Sequence, residues 1–214
     1  MVDLTKITSL TGWPEIRKNL EEVFLSTLQV PRYEQVELQI RVLEENEIHG
    51  LTRRQIVFSI TDVELITAWV FIPEGREDCP GILCCHHETP NGKDEVAGLE
   101  GNARLAFAQH YAELGYVTLA IDVPTVCKRA SNKREPYDTQ AFYKENKNIS
   151  FAGKMLADHS VVGFDLRLQP HARARDISDR FISGVLRYSS HLAGAGENDM
   201  LVVGQNLNGY DEEG

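Results

Sequence analysis

The sequence has no long apolar run. No stretch has the length and apolarity needed to cross a bilayer. Residues 1–13 hold no apolar core of signal-peptide length. The expectation is a cytoplasmic protein that makes no use of a membrane. A cationic excess is also missing. Lys and Arg number 22 against 32 Asp and Glu, for a net charge of −10 at pH 7. A nucleic-acid surface needs a basic face, so no nucleic-acid partner is expected. Cysteine is scarce: Cys79, Cys84, Cys85 and Cys127. Cys84 and Cys85 are adjacent within an apolar run, where neighbouring side chains of a strand point to opposite faces. Buried free thiols in a reducing compartment fit this better than a disulfide framework or a zinc site. There is no internal repeat and no low-complexity tract.

What is present suits one domain. A chain of 214 residues can bury a sizeable core. Pro14 suits a first helical turn, and Ile16, Leu20, Val23, Phe24 and Leu28 form a stripe at helical spacing, predicting a helix over 14–30. Val36, Leu38, Ile40 and Val42 alternate with polar residues, as do Ile56, Phe58 and Ile60. Residues 65–72 are apolar up to the turn Pro73-Glu74-Gly75. Three strands in succession predict an antiparallel meander. Residues 81–85 read as a short buried strand. Asn102 is placed to cap the next helix, with Phe107, Tyr111 and Leu114 on one face and Gly115 as its stop. Residues 116–121 give another strand, which completes a parallel βαβ unit. A polar loop over 125–150 follows, then a helix over 151–164 weakened by Gly153 and Gly163. A basic break spans 167–175. Ile177, Phe181, Val185, Tyr188 and Leu192 recur as a helix face, and 200–203 form a short apolar strand.

The loop His86-His87-Glu88-Thr89-Pro90-Asn91-Gly92-Lys93-Asp94-Glu95 is where chemistry is expected, because ligands of parallel sheets lie beyond the carboxyl ends of the strands. His86, His87 and Glu88, with His110 or His159, invite a metal reading. Adjacent strand residues diverge and ligand sets use wider spacings, so no metal is expected. One histidine should pack under the loop and one face the crevice. Lys93, Asp94 and Glu95 are expected to pair and hold the loop rather than bind substrate. Lys128 and Arg129 beside Cys127 favour a thiolate, but no base neighbours it in sequence, so an ordinary loop cysteine is the expectation. The basic run Lys128, Arg129, Lys133 and Arg134 reads as a solvated face.

Several ordered blocks carry a family resemblance. They are Thr52-Arg53-Arg54, residues 68–73, the run HHETPNGKDEVAG over 86–98, residues 105–124, and Gly153-Lys154-Met155-Leu156-Ala157-Asp158-His159. Over residues 16–165 the chain resembles the dienelactone hydrolase and acetyl-xylan esterase branch of the α/β-hydrolase superfamily. The resemblance implies a partial α/β-hydrolase fold: a mostly parallel sheet with an antiparallel N-terminal meander and flanking helices, in one domain over 1–214 with a divergent tail over 166–214. It also implies a Ser or Cys nucleophile on a strand-to-helix elbow, an oxyanion hole drawn partly from His86, His87 and Glu88, and a triad acid and histidine later in the chain. It implies no cofactor.

The chain departs from that pattern. It contains no G-x-S-x-G or G-x-C-x-G. The nearest match, Val202-Val203-Gly204-Gln205-Asn206-Leu207-Asn208-Gly209, puts Asn206 at the nucleophile position and Asn208 where a small Gly is usual. An amide does not attack an ester as an alkoxide does. Nucleophile, acid and histidine are therefore not identifiable. Two readings of the tail stay open: a decayed elbow, or sequence unrelated to the family. The expectation is a truncated, catalytically inactive ester hydrolase of the dienelactone hydrolase type. The alternatives are a pseudoenzyme that binds an ester-like small molecule, or a defective gene product without a selected role. Self-association through an exposed sheet edge is expected.

Overall fold

The computed structural model describes residues 13–31, 33, 38–61, 64–76, 79–129, 135–165, 172–173 and 200–204. Expectations for Asn206, Lys133, Arg134 and the helix face Ile177 to Leu192 lie outside these residues. Helix α1 (Trp13–Thr27) leads into β1 (Arg41–Ile48), β2 (Leu51–Thr61) and β3 (Glu64–Pro73). Next come β4 (Cys79–Cys85), α2 (Lys93–Val96), α3 (Phe107–Glu113) and β5 (Val117–Ile121). Helices α4 (Gln140–Glu145) and α5 (Phe151–Asp165) follow, then the short strands β6 (Ala172–Arg173) and β7 (Met200–Gly204).

One sheet runs in the order β1-β2-β3-β5-β4-β6, and β7 also pairs with β4. The meander is antiparallel, and β3 meets β5 antiparallel. β4 pairs in parallel with β5, β6 and β7. The expected meander and the central parallel β4–β5 pair are both present. The sheet, however, is mixed rather than mostly parallel. Antiparallel pairing predominates because the meander strands are long, with 11 residues in β2 against 5 in β5. The first strand also begins later than the alternation of Val36 to Val42 suggests. β1 is an edge strand, mostly exposed, with charged residues Glu44, Glu45 and Glu47. A strand paired on one side and wet on the other carries no apolar signature.

Alternation along the strands builds two cores. Ile66, Ala68, Val70, Ile72, Leu83, Leu119 and Ile121 face one side, where Phe24 and Leu25 of α1, Leu28 just after it and Leu156 of α5 cover them. Trp69, Phe71, Ile82, Cys84 and Ala120 face the other, under Val96, Ala108 and Ala112 of α2 and α3. Cys84 and Cys85 thus pack into opposite layers, as strand geometry requires. Val23 and Leu114 are exceptions to the predicted stripes, being 51% and 57% exposed.

Gly153, a weak point for helix propensity, has a packing reason. A Cβ there would stand 2.3 Å from the Leu28 carbonyl at the end of α1. The glycine lets α5 cross that end, where the Ser150 hydroxyl also donates to the Leu28 carbonyl.

Candidate functional site at the carboxyl edge of the parallel strands

Three strands end level. Cys85 is in register with Ile121 of β5 on one side and Gly204 of β7 on the other. Cys85, Ile121 and Gly204 therefore lie along one edge of the sheet, and the segments that begin at 86 and 122 leave it there. This is the crevice position of parallel sheets.

His86 is buried, and both its ring nitrogens are engaged. Nε2 accepts the Val123 N–H at 3.1 Å, so the ring proton is on Nδ1, which donates to the His87 carbonyl at 2.8 Å. Burial lowers its pKa from the ordinary 6.5, against the pull of that carbonyl and of Asp122. Tyr137 fastens the same turn. Its hydroxyl accepts the Thr89 N–H at 2.9 Å and donates towards the carbonyls of His87 and Thr89 at 3.0 and 3.2 Å. Burial pushes that phenol up to about 12. The His87 ring lies over Glu95, with Nε2 3.2 Å from Oε2, and its Nδ1 has no partner. Glu88 is exposed at the loop surface.

Lys93, Asp94 and Glu95 form most of α2, and Lys93 Nζ lies 3.5 Å from Asp94 Oδ1. Lys93 is wholly buried, with Nζ 2.7 Å from Asp122 Oδ2, while its backbone N–H donates to Asp122 Oδ1 at 2.9 Å. Asp94 accepts from the Trp69 indole N–H at 2.5 Å. Glu95 accepts the Asn102 N–H at 2.9 Å. Asn102 in turn accepts from the Arg104 N–H, capping the short 3-10 turn before α3. The close approach requires Gly92, whose φ is 51°. A Cβ there would stand 2.3 Å from Asp122 Oδ1 and 2.9 Å from Cys127 Sγ.

Cys127 is not a favoured thiolate. Burial first, then the Asp122 carboxylate, push its thiol up to about 12, and Sγ–H donates to the Pro90 carbonyl at 3.3 Å. Arg129 is also not solvated: its side chain is 3% exposed. Its guanidinium donates to the Asp122 carbonyl at 2.8 Å, to Asp158 at 2.5 Å and to Glu64. Lys154 completes the group, 2.6 Å from Asp158 and 2.7 Å from Glu64. The Tyr33 hydroxyl donates to Asp158 at 3.1 Å.

This network joins β3, the segment after β5, and α5 behind the crevice, and sequence reasoning missed it. Only the Lys154–Asp158 spacing of four on a helix was a readable signal. His159, next to Asp158, is buried. Burial lowers it to about 4; Nδ1 lies 2.7 Å from the Met155 carbonyl, and Nε2 has no partner.

Among the described residues, no group of three or more His, Cys, Asp or Glu is placed to hold a metal ion. No helix among them is long and apolar enough to cross a membrane.

No family model matches the sequence. No curated protein matches it either. Solved structures do. A candidate acetyl xylan esterase from Bacteroides fragilis superposes with TM-score 0.64 at 18% identity, over 76% of this chain and 45% of that one. A glucuronoyl esterase from Solibacter usitatus gives TM-score 0.54 at 12% identity, over 79% of this chain and 52% of that one. A second structure described as that esterase gives 0.51 at 11% identity. The chain thus spans about half the length of the solved structures it matches. With its strand order, its helices on both faces and its parallel β5-β4-β7 core, the described chain has a partial α/β-hydrolase fold.

Proposed function

We propose that the chain is an α/β-hydrolase-fold protein of the esterase type that does not hydrolyse esters through an elbow nucleophile. One observation carries this reading. β7 pairs with β4 in parallel so that Gly204 lies opposite Cys85, a register that supports reading β7 as an elbow strand beside the 86–88 loop. Two residues on, the sequence has Asn206. An amide lacks the ionisable hydroxyl or thiol that nucleophilic catalysis needs. The esterase descriptions of the matching structures support the chemical class of ligand, an ester-bearing small molecule.

A binding role without turnover is favoured by the state of the crevice loop. Lys93, Asp94, Glu95, His86 and Tyr137 all hold it in place. Free thiols at Cys79, Cys84, Cys85 and Cys127 fit a cytoplasmic setting.

The test pairs an aryl acetate assay with a fluorophosphonate trap and a thermal melt. The expected result is no turnover and no covalent label, with acetylated sugar esters raising the melting temperature. Turnover abolished by one substitution at 86–95 or 206 would overturn the inactive reading. A melting temperature unmoved by any ester would overturn the binding role and leave a defective product, to be checked by sequencing the transcript.

A further inference from the structure

His86 joins the two segments that border the crevice. Its ring lies between the loop after β4 and the first residues beyond β5, donating to the His87 carbonyl at 2.8 Å and accepting from the Val123 N–H at 3.1 Å. We propose that His86 is an acid-sensitive latch on the crevice, which holds residues 86–89 against the end of β5 while its imidazole is neutral and releases them when it takes up a proton.

The argument is one of donors and acceptors. With Nδ1 already protonated, a second proton must go to Nε2. There it would face the Val123 N–H, one donor against another, inside a buried contact. The imidazolium is then stable only if Nε2 turns away from Val123, so the tie between the two segments must break. Burial adds to this, because a charged ring is better hydrated outside.

The surrounding groups decide how far the release extends. Asp122 at the end of β5 attracts a proton to His86, but Lys93 of α2, 2.7 Å from that carboxylate, offsets it. The neighbouring His87 disfavours the charged ring, and His86 disfavours charge on His159 of α5. The Tyr137 hydroxyl, 3.4 Å from Nδ1, stays neutral throughout. The buried Lys93–Asp122 pair, 2.7 Å apart, keeps α2 in place. The opening is therefore confined to the turn between β4 and α2. That the freed turn controls ligand entry rests on the binding reading above; the latch itself does not.

Amide exchange measured by NMR from pH 4 to 8, expressed as protection factors, tests the latch. The Val123 amide should lose protection by about tenfold or more as the His86 ring titrates. The Leu83 and Leu119 amides, from neighbouring β4 and β5, should keep theirs. In His86→Gln the Val123 protection should no longer depend on pH. Three results would overturn the proposal: Val123 protected through the His86 titration, loss of protection at Leu83 and Leu119 together with Val123, or a Val123 response abolished by His159→Leu. None of these depends on any ester binding, so the failure of the binding reading is seen separately.

Discussion

The Lys93 ammonium and the Asp122 carboxylate meet at 2.7 Å with neither side chain in contact with solvent. Asp122 also accepts the Lys93 backbone N–H, so one carboxylate fixes both ends of a single residue. This contact sets where α2 lies over the end of β5. It holds the α2 end of the crevice loop in place, because separating the pair would leave a buried charge without its nearest partner.

Removing one partner should therefore cost much more than removing both. Asp122→Ala or Lys93→Ala is expected to destabilise by about 3–5 kcal/mol in urea unfolding. The double change Lys93→Met with Asp122→Leu should cost clearly less, since no orphan charge remains. Equal losses for the single and double variants would show that packing, not charge pairing, dominates.

Arg129 should behave as an interior residue despite its basic sequence surroundings. Arg129→Ala leaves Asp158, which is wholly buried, with one cation fewer. A loss of about 3 kcal/mol or more is expected. Arg54→Ala, which breaks a half-exposed pair with Glu45, should cost under about 1 kcal/mol and depend on salt. Similar small losses from both would contradict the buried network.

Acid should weaken the fold in two stages. His159 is held neutral, its value lowered by burial to about 4 from an ordinary 6.5. Its stabilisation is complete above pH 6.5 and declines as pH falls from there to about 4, because the unfolded chain takes the proton first. For Glu64, burial alone would raise the pKa, but Arg129 and Lys154 outweigh it and keep it below 4.5, so its contribution is lost at still lower pH. His159→Leu should reduce the first stage, to which the buried His86 also contributes, and leave the second. A melting temperature constant from pH 7 to 4 in the parent chain would refute the assignment.

Thiol labelling should be slow. Burial pushes Cys85 and Cys127 up to about 12, and burial also raises Cys84. A disulfide reagent at pH 8 should react fast with all four cysteines only after denaturation. Rapid stoichiometric labelling of Cys127 in the native protein would show a thiolate that this geometry does not provide.

Much of the scaffold is legible in local pattern. Residues that alternate along a strand face one layer whatever their partners, so Ile56, Phe58 and Ile60 announce a core face by spacing alone. The βαβ unit around α3 is legible through the apolar strand runs and the stop at Gly115, whereas Asn102 caps the 3-10 turn before α3 and not α3 itself, which starts after Ala106 without a side-chain cap. β1 was misplaced because its residues answer to solvent on one side and to β2 on the other.

The site was legible in position and not in its electrostatics. The 86–95 loop could be found as the polar run after a buried strand. The fate of its charges depends on distance through space. Arg129 stands 65 residues from Glu64 and 29 from Asp158, and nothing in its sequence neighbourhood marks it as buried. Cys127 carries two basic neighbours in sequence, yet its thiol responds to burial and to Asp122.

The sequence by itself determined which residues alternate, where strands give way to turns, and that Asn206 follows the last apolar run. Those are properties of neighbours along the chain. Only the tertiary structure decided that β7 lies beside β4, that Lys93 is buried against Asp122, and that His86 spends both nitrogens on backbone groups. Each of these brings together groups far apart in sequence, and the strength of each contact depends on how much water is excluded around it. That is fixed by packing and by no local pattern.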